Sequence, residues 1–129
     1  MEWRFTNDAP IYSQIISQVT LAIVSGALSP GEKLASVRDM ATEAGVNPNT
    51  MQRALGELER EGLVYSQRTS GRFVTEDGSM IENAKRVQAQ AQIDKFLDAM
   101  IALGYNKDEI VSMLSGKREG EKQYGDTGM

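Results

Sequence analysis

The chain has 129 residues, 40% of them hydrophobic and 25% charged, which is the composition of an ordinary soluble globular protein. It contains no Cys and no His, which excludes disulfides, thiolate nucleophiles, Cys-based zinc sites and imidazole acid–base or metal chemistry. No apolar run approaches the ~18 residues of a membrane span, and the first ten residues lack the features of a signal peptide. We therefore expect a cytoplasmic protein that has no metal, cofactor or membrane contact.

The formal net charge of −4 argues at first sight against a nucleic-acid partner. Phosphate contacts need only one basic face, however, so the distribution of charge matters more than its sum. A carboxylate or lysine enzyme stays open in principle, but no constellation of residues indicates one, and we expect a protein that is not an enzyme.

The first half of the chain predicts three helices. The first starts at Pro10 and ends at Gly26, and its apolar residues recur at helical spacing. A Pro–Gly turn follows, and a short second helix runs from about Val37 to Glu43 with Ser36 as N-cap. The third helix starts at Asn47-Pro48, an N-cap followed by proline, and ends at Gly62.

Two strand-like runs, residues 63–67 and 72–75, then flank a polar turn. Three helices followed by a hairpin are typical of a winged helix-turn-helix. A long helix over about 80–103 comes next, and Asn106 can cap a last helix. The predicted fold is mainly α with a small β-hairpin wing: a winged helix-turn-helix domain (10–78), a two-helix C-terminal dimerisation region (79–116) and a disordered tail (117–129).

The third helix separates into two faces when it is plotted at ~100° per residue. The face predicted to be buried carries Met51, Ala54, Leu55 and Leu58, and the opposite face carries Asn49, Gln52, Arg53, Gly56 and Arg60. Asn and Gln can pair with adenine edges, and Arg with guanine or phosphate. The acids of the helix, at positions 57, 59 and 61, lie away from its start. The outward face is consistent with DNA reading, and equally with a plain solvated surface.

Neighbouring arginines favour the DNA interpretation. Arg38 lies on the short second helix, which would cross the phosphate backbone, and Arg68 and Arg72 bracket the predicted wing turn. Together these side chains would form a basic surface on an otherwise acidic protein.

Several segments match a known family in order and nearly without gaps over residues 10–75. They are PIYSQI from Pro10, GALSPGEKL from Gly26, SVRDMA from Ser36, VNPNTMQRAL from Val46, ELEREGLV from Glu57 and GRFV from Gly71. This series resembles the GntR family of bacterial regulators. The Asn-Pro-Asn-Thr run and the short C-terminal part resemble its YtrA-like subfamily, whose members dimerise through two C-terminal helices and often regulate transporter genes.

The resemblance implies that the DNA-contacting residues lie on the second helix, the start of the third helix and the wing turn. They would be Arg38, Asn47, Asn49, Thr50, Gln52, Arg53, Arg68, Thr69, Ser70, Gly71 and Arg72. Two positions depart from the family pattern: Ala35 replaces a usual proline, and Thr69 replaces a usual wing glycine. Neither departure removes a charged contact.

Apolar side chains of the C-terminal region form a stripe that predicts a two-fold dimer interface. Its members would be Ile93, Phe96, Leu97, Met100, Ile101, Ile110, Met113 and Leu114. The same stripe could instead pack on the chain's own winged helix.

We expect a sequence-specific regulator, a repressor that binds a palindromic double-stranded DNA operator as a homodimer. The alternative is a winged helix used only for protein contacts. The sequence leaves open the operator, the regulated genes, the sign of regulation and any small-molecule effector. We also expect the winged helix to survive a truncation after about Glu76 as a monomer.

Overall fold

The structure is a computed structural model that describes residues 1–116; the tail predicted to be disordered, 117–129, lies outside the described residues. The elements in chain order are α1 (Ile11–Val24), α2 (Val37–Ala44), α3 (Pro48–Arg60), β1 (Val64–Gln67), β2 (Gly71–Val74), α4 (Gly78–Ala102) and α5 (residues 107–116). The predicted fold class, mainly α with a β-hairpin wing, is confirmed.

The start of each short helix is fixed by a side-chain cap that the sequence predicted. The Ser36 hydroxyl accepts a hydrogen bond from the Asp39 N–H (3.1 Å) at the start of α2. The side-chain oxygen of Asn47 accepts the Asn49 N–H (2.7 Å) at the start of α3, and Pro48 takes the first helical position. Such caps satisfy N–H groups that have no partner within the helix, which stabilises each helix by about 1 kcal/mol.

The inner face of α3 lies at the centre of the core. Met51, Ala54, Leu55 and Leu58 are each at most 1% exposed, and α3 packs against α1, α2 and β1. From α1 the core receives chiefly Ile15, Val19 and Ile23. The buried face of α3 is the face that the sequence predicted.

The wing is a two-stranded antiparallel sheet in which Val64 pairs with Val74. The connection between α1 and α2 lies along its outer strand: the Leu34 N–H donates to the Arg72 carbonyl (2.9 Å), and the Val74 N–H donates to the Glu32 carbonyl (2.8 Å). An isolated hairpin is marginally stable in water, so these added backbone bonds help hold the wing against the helices.

Residues 1–9 form an ordered segment that precedes the predicted domain (10–78). The rings of Trp3 and Phe5 stack at 5.9 Å and pack, half-buried, against the core. The indole N–H of Trp3 donates to the Glu43 carboxylate (3.1 Å), and the Gln18 side chain bonds the backbone of Arg4. This segment therefore covers part of the core beside α1.

The first turns of α4 also belong to the core. Asp77 caps the helix by accepting the backbone N–H groups of Ser79 (3.0 Å) and Met80 (3.3 Å), and hydrogen bonds, led by the Ser79 hydroxyl, lower the pKa of the Asp77 carboxyl. Met80, Ile81 and Ala84 pack against the buried cluster.

The contacts divide the chain into two compact units, and the first unit ends at Gln88 and the second begins at Ala89. The functional division near residue 78 stays a prediction. Within residues 1–116, no helix is both long and apolar enough to cross a membrane.

Because the first turns of α4 pack against the core, a stable truncated fragment should end near Gln88 and not at Glu76. A fragment ending at Glu76 loses the helix cap and the partial burial of Met80 and Ile81, which costs roughly 2 kcal/mol. We expect a 1–88 fragment to unfold cooperatively and a 1–76 fragment to melt about 10 °C lower. Calorimetry of both fragments checks this expectation, and equal melting temperatures would contradict it.

Candidate nucleic-acid interface

The outward face of α3 presents amide and guanidinium groups near the start of the helix. Asn49, Gln52 and Arg53 are exposed and Thr50 is half-buried, and the first turn carries no acidic residue. The side-chain oxygen of Asn47 is already used as the helix cap, so this residue has less freedom than its neighbours to pair with a base. A helix start of this kind offers unpaired N–H groups and a partial positive charge to phosphates.

The guanidinium of Arg53 has an aromatic partner. Its central carbon lies 4.6 Å from the ring centroid of Tyr12, over the ring face. Tyr12 belongs to the first turn of α1 and packs, half-buried, against the core. A cation in this position is attracted by the negative face of the ring.

The acids of α3 are held at its far end, where they pair with arginines. Glu57 forms an ion pair with Arg60, and Glu59 accepts a hydrogen bond from the Arg72 side chain (3.2 Å). Burial raises the pKa of the Glu61 carboxyl, and the negative charge of Glu57 adds to the rise. The negative charge is thus separated from the start of the helix.

Arg72 was expected to contact DNA at the wing turn, but its side chain pairs with Glu59. Its side chain is 19% exposed, and Glu59 also accepts the Ser66 hydroxyl (2.9 Å) from the facing strand. Arg72 therefore ties the hairpin to α3, whereas Arg68, Thr69 and Ser70 are exposed at the turn.

Lys33 is a further cation beside the wing, and it was absent from the predicted set. Gly71 has φ +110°, and a Cβ added there would lie 3.2 Å from Lys33 Cε. Lys33 and Ser36 line an open groove with the wing turn, between the start of α2 and residues 69–72. A β-bridge between Lys33 and Phe73 brings it there, and no local sequence signal indicates this pairing.

Arg38 on α2 and Arg68 on the wing are exposed. Neither forms an ion pair in the part of the chain that the structure describes. Their charges are therefore available to an anionic partner. Within residues 1–116, no group of acidic side chains could hold a metal ion.

Most of the apolar side chains predicted to form a dimer interface are exposed on the surface of the second unit. Five of them, Ile93, Phe96, Ile101, Met113 and Leu114, are between 43% and 55% exposed. Leu97 and Met100 are half-buried. Ile110 is only 1% exposed, so it is already covered within one chain and offers a partner little surface.

The tie between the wing and α3 generates a testable expectation. A partly exposed ion pair contributes about 0.5–1 kcal/mol, so Glu59→Ala should speed hydrogen exchange of wing amides about two- to fivefold. The Leu34 amide, bonded to the Arg72 carbonyl, is a suitable reporter by NMR. Glu57→Ala is the matched control, because Glu57 pairs with Arg60 within α3. Equal acceleration in both variants would contradict the tie.

Comparison with known proteins gives a consistent result. The family profile described as "Bacterial regulatory proteins, gntR family" matches residues 11–74. The Bacillus subtilis protein named uncharacterized HTH-type transcriptional regulator YhcF is 37% identical over 120 residues, 93% of this chain and 99% of that protein. The HTH-type transcriptional repressor YtrA of the same species is 44% identical over 71 residues, 55% of each chain.

Solved structures agree. A GntR family transcriptional regulator from Listeria monocytogenes superposes with a TM-score of 0.78 at 38% identity, over 87% of this chain and 98% of that one. The DNA-binding domain of AraR in complex with operator ORX1 superposes with a TM-score of 0.53 at 28% identity, over 58% of this chain and 96% of that one. The chain belongs to the GntR family of bacterial transcription regulators.

Proposed function

We propose that this regulator reads an operator in double-stranded DNA with α3 in the major groove and the wing turn beside it. The observation that carries the proposal is the exposed amide and guanidinium face at the acid-free start of α3. The DNA-binding domain of AraR, a structural neighbour, was solved in complex with an operator, which supports operator binding by this fold.

The side chains divide into two roles in this complex. Asn49, Gln52 and Arg53 are placed to contact base edges, which carry the sequence information. Contacts to phosphates or groove walls fix the register of the protein on the duplex. They are made by Arg38, by Lys33 and by the wing residues Arg68, Thr69, Ser70 and Gly71. Asn47, Thr50 and Arg72 contribute mainly by shaping the surface.

We further propose a homodimer that binds two halves of a palindromic site. The exposed apolar residues of the second unit support this, because large apolar side chains in contact with water are unfavourable and a contact between two copies would cover them. A regulator bound within a promoter would block other proteins from the same DNA and so repress transcription. The relative YtrA is named a transcriptional repressor.

A docking module for another protein is the competing function. A protein-docking helix would more often present aromatic or aliphatic anchors on its outward face, whereas α3 presents Asn49, Gln52 and Arg53 there. The residues therefore favour DNA over a protein partner.

Selection from a pool of randomised duplexes tests the proposal directly. The full chain should enrich one sequence motif with two inverted halves, and the motif should bind at least a hundredfold more tightly than the starting pool. If no sequence is enriched at low and moderate salt, specific DNA reading is wrong.

Arg38→Ala should weaken binding to the selected duplex and to random DNA by the same factor. It should also reduce the steepness of log affinity against log salt by about 0.9 for each bound protomer, the value for one lost phosphate contact, and so by about 1.8 for the dimer on the palindromic duplex. Arg4→Ala, on the N-terminal segment beside Glu2, is the matched control and should leave the slope unchanged. A loss confined to the selected duplex would contradict the phosphate role of Arg38.

The dimer proposal predicts that Phe96→Glu together with Ile101→Glu gives a monomer, because both side chains are about half exposed in the single chain. Sedimentation at micromolar concentration should show a dimer for the unmodified chain and a monomer for the variant. Affinity for the palindromic duplex should fall about a hundredfold or more, since the two half-site contacts are no longer linked. Leu21→Glu, which changes an exposed leucine of α1, is the control that should still dimerise.

A further inference from the structure

The contact between Arg53 and Tyr12 joins the outward face of α3 to the first turn of α1. Among the described arginines, Arg53 lies over an aromatic ring, whereas Arg60 and Arg72 lie against carboxylates. Arg53 itself forms no ion pair within residues 1–116. Its charge is therefore uncompensated while its position is restrained.

The ring beneath Arg53 is a fixed platform. Tyr12 is packed against the core cluster at the start of a helix whose residues Ile15 and Val19 are fully buried. The ring cannot move far without disturbing that packing, because protein interiors are close-packed. A ring face attracts the charge of a guanidinium without accepting its in-plane N–H groups in conventional hydrogen bonds, so the donors of Arg53 stay available to a nucleic acid.

We propose that Tyr12 is a positioning residue of the DNA-reading surface, which holds the Arg53 guanidinium in place before DNA arrives. The inference rests on the proposed DNA-binding function. A long arginine side chain loses rotamer freedom when it binds, and pre-ordering reduces that loss. Tyr12 itself needs no contact with a base for this role.

A double-mutant cycle on affinity for the duplex selected by the full chain tests the inference. Tyr12→Leu should weaken binding about two- to fivefold for each half-site when Arg53 is present, the size of an exposed cation–π contact. In the Arg53→Ala background the same change should have no effect. Tyr12→Phe keeps the ring and should bind as the unmodified chain does.

A merely structural Tyr12 would give a different pattern. Loss of its packing would lower the melting temperature and weaken DNA binding equally with and without Arg53, so an additive cycle overturns the inference. Tyr65→Leu is the matched control: Tyr65 also stacks on a ring, that of Phe73 at 5.6 Å, but no arginine of residues 1–116 lies over it. Its effect should be additive with that of Arg53→Ala.

A second series keeps the test decisive if Tyr12→Leu does not fold. Phenylalanine and its trifluoro and pentafluoro derivatives, incorporated at position 12, have similar shapes but progressively lose the negative face that attracts a cation. Affinity for the selected duplex should fall stepwise along the series and only when Arg53 is present; a flat series overturns the inference. If the unmodified chain selects no sequence at all, the proposed function fails instead, so the two failures are distinguishable.

Discussion

The packing of the apolar face of α3 against α1, α2 and β1 is the contact on which the remaining structure depends. Leu58 and Met51 are completely buried there, and deletion of such a side chain typically costs 2–5 kcal/mol, which is a large share of the stability of a small domain. Since a helix is rigid, burial of this face also fixes the direction of the opposite one. Asn49 and Gln52 project outward because their neighbours are anchored inward.

The features of this fold that depend on residues close together in the chain could be predicted from the sequence. Caps such as Ser36 and Asn47 act within three residues, and helical periodicity is visible in any short window, so the helices and the exposed face of α3 could be predicted. The hairpin followed from two strand-like runs around a polar turn. The same logic located Asn106, whose side chain accepts the Glu109 N–H (2.8 Å) while Glu109 accepts the Asn106 N–H in return.

At the candidate DNA-binding surface, the features that escaped prediction are contacts between residues distant in the chain. Lys33 reaches the wing only because a β-bridge with Phe73 forms. Arg72 is paired with Glu59 only because β2 folds back towards the end of α3. Local patterns encode which residues are exposed, but not which exposed residues meet. A wing arginine therefore looked free in the sequence although it is tied in the structure, and a lysine outside the expected set lies beside the wing.

The negative net charge of the chain fits a DNA-reading role once the charges are assigned to surfaces. Lys33, Arg38 and Arg68, the cations assigned to phosphates, form no ion pair in the described part of the chain, and at about 0.9 per neutralised phosphate they support a salt slope of roughly −3 per protomer. That is a modest electrostatic contribution, so affinity for random DNA is limited. The excess of acids over the whole chain, with a net charge of −4, adds a general repulsion from the duplex. In the proposed complex, discrimination then depends on base contacts made by Asn49, Gln52 and Arg53, because little affinity remains when those contacts are absent.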